Sequence, residues 1–186
     1  MNIMEAIYGR RSVRNYQEEA VPKEVLNKLL EAAVMAPSAS NAQPWAFAVF
    51  QDRDLLKNFS DRAKSYFLDF MKDKPDPHGY QAKLSNPRYN MFYNANTLVI
   101  IYAISDKHPA VGDCCLAAQN LMLAAHAQEL GTCWIGFATP FLDSAEFKEE
   151  MNIPQAYKAV APIIAGYPQK YSSSFSRKPA QVLAWK

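Results

Sequence analysis

Apolar residues along this chain recur with two periods, and one long run keeps to neither. Between Asp113 and Gly131, the residues Cys114, Cys115, Leu116, Leu121–Ala125, Ala127 and Leu130 cover most of a helical circumference. Asp113 is placed to cap such a helix and Gly131 to end it, giving a rod of roughly 27 Å. A helix so apolar reads either as a central core helix or as one that also packs against a second subunit. Gln119, Asn120, His126, Gln128 and Glu129 interrupt it too often for a membrane span. The chain then turns into Thr132–Phe137, a β-branched and aromatic run that predicts a buried strand.

The other elements follow from simpler signals. Asn2 and Glu5 form a capping box for a short helix that Gly9 can end. Pro22 suits the first turn of a second helix, with Val25, Leu26, Leu29, Leu30 and Ala33 inward and Pro37 as its stop. Trp45–Phe50 alternates as a strand does, and Asp52 can cap the helix after it. Thr97–Ile104 is apolar enough to be a central strand, Ser144–Asn152 reads as a helix, and Tyr157–Gly166 as another buried strand. The pattern is weak from Tyr66 to Tyr93, where many aromatics flank a loop at Asp73–Gly79. That stretch is either a mobile lid over a flat ligand or a helical excursion packed on its own rings. A polar, serine-rich arm, Pro168–Pro179, precedes the apolar patch Val182–Trp185, which suits a sheet edge of its own or another subunit. No repeat or composition break divides residues 1–186, so a single domain is expected.

Composition narrows the functional classes. A formal charge of +2 gives no reason to expect nucleic acid or another polyanion. The opening residues lack an apolar core and hold Glu5, so no secretion signal is expected and the Asn58-Phe59-Ser60 sequon is taken as chance. Three cysteines (Cys114, Cys115 and Cys133), two of them adjacent, suit reduced thiols in a cytoplasmic protein. The six glycines fall into no GxGxxG or Walker spacing, so a bound phosphate would be held by side chains. His78, His108 and His126 are scattered, and His126 with Glu129 alone does not make a di-metal site, so no metal is expected. No serine or cysteine lies in a nucleophile elbow. Chemistry carried by an organic cofactor is what remains.

Two polar stretches are candidates for holding one. If Arg10–Tyr16 is extended, Arg10, Ser12 and Arg14 share a face, a set that suits an anion such as a phosphate. The same residues also read as a solvated basic turn or a nucleic-acid arm. Ala36–Trp45 is pinned by prolines and presents hydroxyls and amides that could read a planar polar ring, or it is a plain connector.

Taken together, RRSVRNY at Arg10–Tyr16, APSASNAQPW at Ala36–Trp45 and DCCLAAQNLMLAAHAQELGTCWIG at Asp113–Gly136 resemble the nitroreductase family of FMN-dependent NAD(P)H oxidoreductases, and Arg177 matches a fourth family position. The resemblance implies an α+β fold with a mixed, mostly antiparallel central sheet wrapped by helices. It also implies an intertwined homodimer in which the arm at about 168–186 reaches the partner. Two FMN sites are then expected at the dimer interface. By the same resemblance, Arg10, Arg11 and Ser12 hold the phosphate and ribityl chain, and Arg177 completes the phosphate site. Arg14 faces the pyrimidine edge, where a fixed cation favours the reduced flavin. Pro37, Ser38 and Asn41 come from the other subunit, and the amides of Ile135 and Gly136 approach N5 and O4.

The implied activity is hydride transfer from NADPH or NADH through flavin N5 to a flat acceptor (nitroaromatic, quinone or enone-like), in ping-pong order. No side chain is expected to be catalytic, because Ile135 stands where many relatives carry a glutamate. Phe175 replaces a lysine of some relatives, with Lys178 as a substitute candidate. The alternatives are a non-reductase FMN enzyme of the same fold, such as a dehalogenase or flavin-consuming type, or a non-enzymatic flavin- or nucleic-acid-binding protein.

Overall fold

The computed structural model describes residues 1–76, 78–105, 109–170 and 176–186. Among them, strands β1 (Trp45–Phe50), β2 (Thr97–Ala103), β3 (Gly131–Trp134) and β4 (Lys158–Gly166) form one sheet in the order β1-β2-β4-β3. The expected α+β class holds, but the expected mixed sheet does not. All three strand pairs are antiparallel, and the parallel contribution is a single bridge between Ser12 and Thr132. The helices are α1 (Ile3–Gly9), α2 (Lys23–Val34), α3 (Arg53–Met71), α4 (Tyr80–Leu84), α5 (Ala110–Ala127), α6 (Thr139–Leu142) and α7 (Ala145–Glu150).

The sheet divides the core into two layers, and β2 shows how. Leu98, Ile100 and Tyr102 face a cluster with Leu56, Phe59, Phe141 and Phe147 from α3, α6 and α7. Val99, Ile101 and Ala103 face Leu26, Leu29, Cys114, Ala117, Ala118 and Leu121 from α2 and α5. Every residue of β2 is buried, as expected of a strand covered on both faces. The small residues Ala33, Ala117, Ala118 and Ala161 are fully buried between α2, α5 and the sheet, where they permit close packing. No helix of the described residues is long and apolar enough to cross a membrane.

Several element ends follow from the caps. Asn2 and Glu5 form the expected capping box, and the Asp52 carboxylate accepts from the Leu55 amide to start α3. Ser144 caps α7 in the same way. Pro22 is the N-cap of α2 rather than a residue of its first turn, and α2 ends at Val34, before Pro37. The long helix is displaced from its expected bounds. α5 starts after Pro109, so Asp113 lies inside it, and its carboxylate accepts from the Ala39 amide at 3.3 Å instead of capping. The helix ends at Ala127 with Gln128 as its C-cap and the left-handed residue at Glu129 (φ 61°), while Gly131 is the first residue of β3. The strand expected over Thr132–Phe137 stops at Trp134, and Gly136–Ala138 form a 3-10 turn. Nor is α5 buried all round in one chain: Val111 and Leu116 are nearly half exposed.

Gly131 has a different task from the expected helix stop. A Cβ there would lie 2.7 Å from Val13 Cβ, and one at its cross-strand partner Gly166 would lie 2.9 Å from Tyr16 Cδ1. The two missing side chains let residues 12–17 lie flat on the end of the sheet. Val13 N donates to Thr132 O at 2.9 Å, Gln17 N to Tyr167 O at 2.8 Å, and Gln169 N to Asn15 O at 3.0 Å. Because Val13 is β-branched and fully buried, it cannot yield. Gly131→Ala is therefore expected to cost about 1–3 kcal/mol by overpacking. A urea titration should show an earlier midpoint; an unchanged midpoint would mean that the segment is not seated as described.

Candidate functional site

The segment seated on the glycine pair carries the arginines. Arg10 loses proton affinity first through burial and then through the neighbouring charges of Arg177 and Arg11. Arg177 therefore stands close to Arg10, although 167 positions separate them in sequence order. Among the described residues, none of Arg10, Arg11, Arg14 and Arg177 forms a salt bridge with a carboxylate. Clustered guanidiniums with no such ion pair suit an anion. Arg11 is partly committed already: its Nη1 donates to the carbonyls of Tyr8 at 2.6 Å and Arg10 at 2.8 Å, at the end of α1.

Ser12 and Arg14 meet Arg10 around one atom. The Cys133 sulfur, in β3, lies within hydrogen-bonding reach of Ser12 and Arg14 and feels the charge of Arg10. Of the expected period-two set, Ser12 and Arg14 thus approach Cys133, with Arg10 within electrostatic range. Burial pushes this thiol up in spite of the cations, which is the larger effect. Cys114 is also raised by burial, to about 12, and Cys115 in the same direction. The cysteines are all free.

Beside this cluster lies a cavity of about 280 Å³, lined by Arg14, Tyr89, Met91, Tyr93, Cys133, Trp134, Ile135, Gly136 and Phe137. Arg14, Ile135 and Gly136 are thus brought together. Of the two amides expected to face a ligand, Ile135 N already donates to Pro162 O at 2.8 Å. Gly136 opens the 3-10 turn, where a first-turn amide has no helical acceptor. A Cβ at Gly136 would meet nothing within 4 Å, so packing inside this chain does not require glycine there.

Tyr89, Met91, Tyr93 and Phe137 were not singled out as site residues, and the weak pattern from Tyr66 onward hid the first three. The start of that stretch completes α3, and Tyr80 and Phe67 pack edge-on to Phe137 with centroids 4.7 and 5.0 Å away. Its end is bonded to α3 and lines the cavity. Lys64 Nζ donates to Tyr89 O at 2.8 Å, and Met91 N donates to Ser60 Oγ at 2.7 Å. Met91 and Phe92 are fully buried. Pro77, His108 and Phe175, on which earlier expectations fall, lie outside the described residues.

Pro37, Ser38 and Asn41 are not at this cavity. Ser38 Oγ accepts from Gln43 N at 2.9 Å, and Ser40, Asn41 and Gln43 have positive φ of 53°, 53° and 47°. Three such residues in one tight loop are costly, so its neighbours must hold it in this shape. The loop is tied to Asp113 near the start of α5, whereas Arg10 and Arg11 lie against His126 near its end. Thirteen residues of helix separate these anchors, about 20 Å. Within one chain the two polar stretches do not meet.

His126 reports on the arginines. Burial lowers its proton affinity first, and Arg10 and Arg11 lower it further. Its native value therefore lies below the ordinary 6.5, so the folded state loses stability as pH falls below 6.5 towards the lowered value. An anion on Arg10 and Arg11 should offset their charge and raise His126. Proton NMR of the imidazole with and without inorganic phosphate checks this; no upward movement would mean that phosphate does not occupy the cluster.

Comparison with known proteins gives the family. A family model described as the Nitroreductase family matches residues 7–167. A protein of Methanothermobacter thermautotrophicus, provisionally named NADH dehydrogenase/NAD(P)H nitroreductase, is 34% identical over 173 residues, which cover 90% of this chain and 78% of that one. A 4-nitrobenzoate reductase of a Nocardioides species is 26% identical over 197 aligned positions, 87% of this chain and 78% of the relative. The crystal structure of a nitroreductase with bound FMN from Bacteroides fragilis matches with a TM-score of 0.86 at 26% identity, covering 100% of both chains.

Proposed function

We propose, for a chain that belongs to the nitroreductase family and is an oxidoreductase of it, that it binds FMN and reduces a flat electron acceptor with NADPH or NADH. The observation that carries this reading is the cavity that joins Arg14 to Gly136 beside an arginine cluster that forms no carboxylate salt bridge among the described residues. The donor set fits FMN: Arg10 and Arg177, with Arg11 and Ser12, suit the phosphate and ribityl chain. Arg14 supplies a fixed cation at the pyrimidine edge, and the Gly136 amide is left to donate at the N5/O4 edge, with Ile135 fixing its position. Bound there, FMN would supply two-electron hydride chemistry at N5 between a nicotinamide and a nitroaromatic, quinone or enone-like acceptor, in ping-pong order. The protein's residues bind, orient and bias that chemistry electrostatically, and no side chain stands in as proton donor at Ile135.

The complete site needs a second copy of the chain. Pro37, Ser38 and Asn41 sit about 20 Å along α5 from the arginines, so a partner whose α5 runs antiparallel would bring its loop to them. Support comes from the free surface of α5, where Val111 and Leu116 are exposed and a Cβ at Gly112 would meet nothing within 4 Å. A groove of about 410 Å³ lies among Ile3, Ala32, Met35, Leu123 and Ala127, on α1, α2 and α5. Leu183 and Trp185, each 91% exposed, form the apolar end of an arm without a seat on its own chain.

Freshly purified protein should be yellow, bleach under anaerobic NADPH or NADH, and recover its colour with a quinone or nitroarene. A yellow protein that neither nicotinamide bleaches would favour a non-reductase flavin enzyme; a colourless one that takes up no FMN would refute the proposal. Arg10→Ala should weaken FMN binding roughly 10- to 100-fold by removing a charge-assisted contact. Gly136→Ala should bind FMN more weakly with its thermal midpoint unchanged, and a loss of stability instead would point to an ordinary packing role.

A further inference from the structure

The wall of the cavity formed by Tyr89 and Tyr93 has no role in the reading above. Both rings line the cavity, packed edge to face with centroids 5.7 Å apart, and the Tyr89 hydroxyl donates to the Tyr93 hydroxyl at 3.1 Å. A tyrosine hydroxyl that accepts one hydrogen bond still has its own proton to give. Burial, and then Tyr93 itself, push Tyr89 up, so Tyr89 stays protonated and keeps donating.

The backbone is strained to hold this arrangement. Tyr93 and Asn94 take positive φ of 54° and 56°, rare for a bulky residue such as tyrosine. The turn is fixed by Phe92 N donating to Asn90 Oδ1 at 2.8 Å, by Tyr93 N donating to Asn90 O at 3.0 Å, and by the Lys64 clamp on Tyr89. Local strain that the surroundings hold so firmly is a mark of a site. The Arg14 guanidinium carbon lies 5.9 Å from the Tyr93 ring centroid, so phenol and cation share one edge of the cavity.

Resting on the FMN proposal, we infer that Tyr93, oriented by Tyr89, is a flavin-positioning residue whose hydroxyl donates to the pyrimidine carbonyl on the Arg14 side. Negative charge gathers on that edge when the flavin is reduced, so the donor binds the reduced form more tightly than the oxidised form. Arg14 supplies the charge and Tyr93 a directed proton.

The test uses Tyr93→Phe, Tyr89→Phe and the double variant, each stripped of FMN and reloaded. Tyr93→Phe should weaken FMN binding roughly tenfold. It should also shift the two-electron equilibrium against a redox dye about tenfold towards oxidised flavin, about 30 mV for a two-electron couple. Tyr89→Phe should shift both in the same direction by less, and should add nothing to Tyr93→Phe in the double variant. The thermal midpoints of the FMN-free proteins should be unchanged, which separates positioning from folding. Wild-type affinity and potential in Tyr93→Phe, or additive effects in the double variant, would overturn this inference alone. Failure of the wild type to take up FMN would overturn it together with the proposal beneath it.

Discussion

The close approach of residues 12–17 to the ends of β3 and β4 is the contact on which the site depends. It is possible because Gly131 and Gly166 face each other across the strand pair and leave room for Val13 and Tyr16. The backbone bonds that follow hold Arg10, Ser12 and Arg14 at a fixed distance from β3. Cys133, Ile135 and Gly136 then arrive opposite them as the next residues along the same strand and its turn. An arginine-bearing segment and a cavity wall are thus brought together by one chain crossing, among the described residues without a helix N-terminus or a glycine-rich loop.

α5 sets the second constraint. It packs on the sheet through small residues and has one polar stretch at each end, one bonded to Asp113 and the other beside His126. A rigid helix keeps those stretches apart in one chain, so the proposed site, which uses both, calls for a second chain. The proposed dimer turns that separation into a complementary fit, because the exposed apolar residues of α5 lie on the face that does not meet the sheet.

Legibility in the sequence followed the range of the interactions. Caps and strands with local signals, such as Asn2–Glu5, Asp52 and Trp45–Phe50, stood where the pattern put them. Gly131 was misread as a helix stop because its reason is a neighbour 118 positions away, Val13, which no local pattern reveals. Asp113 was misread as a cap for the same reason, since its carboxylate serves the loop at Ala39. Arg10, Ser12 and Arg14 were legible as a face, but their convergence on Cys133 needed the Ser12–Thr132 bridge. Tyr89 and Tyr93 were hidden because their placement depends on Lys64 and Ser60 of α3. Three-dimensional clamps of this kind leave no periodic trace.

The central claim is that two chains complete each flavin site, and the most direct measurement is sedimentation of the FMN-loaded protein followed at the flavin absorbance. For a chain of 21.0 kDa, the account predicts that bound flavin moves only with a particle of about 42 kDa, one FMN per chain. It also predicts that dilution to monomer releases the flavin. Flavin that stays tightly bound to a 21 kDa particle would contradict it.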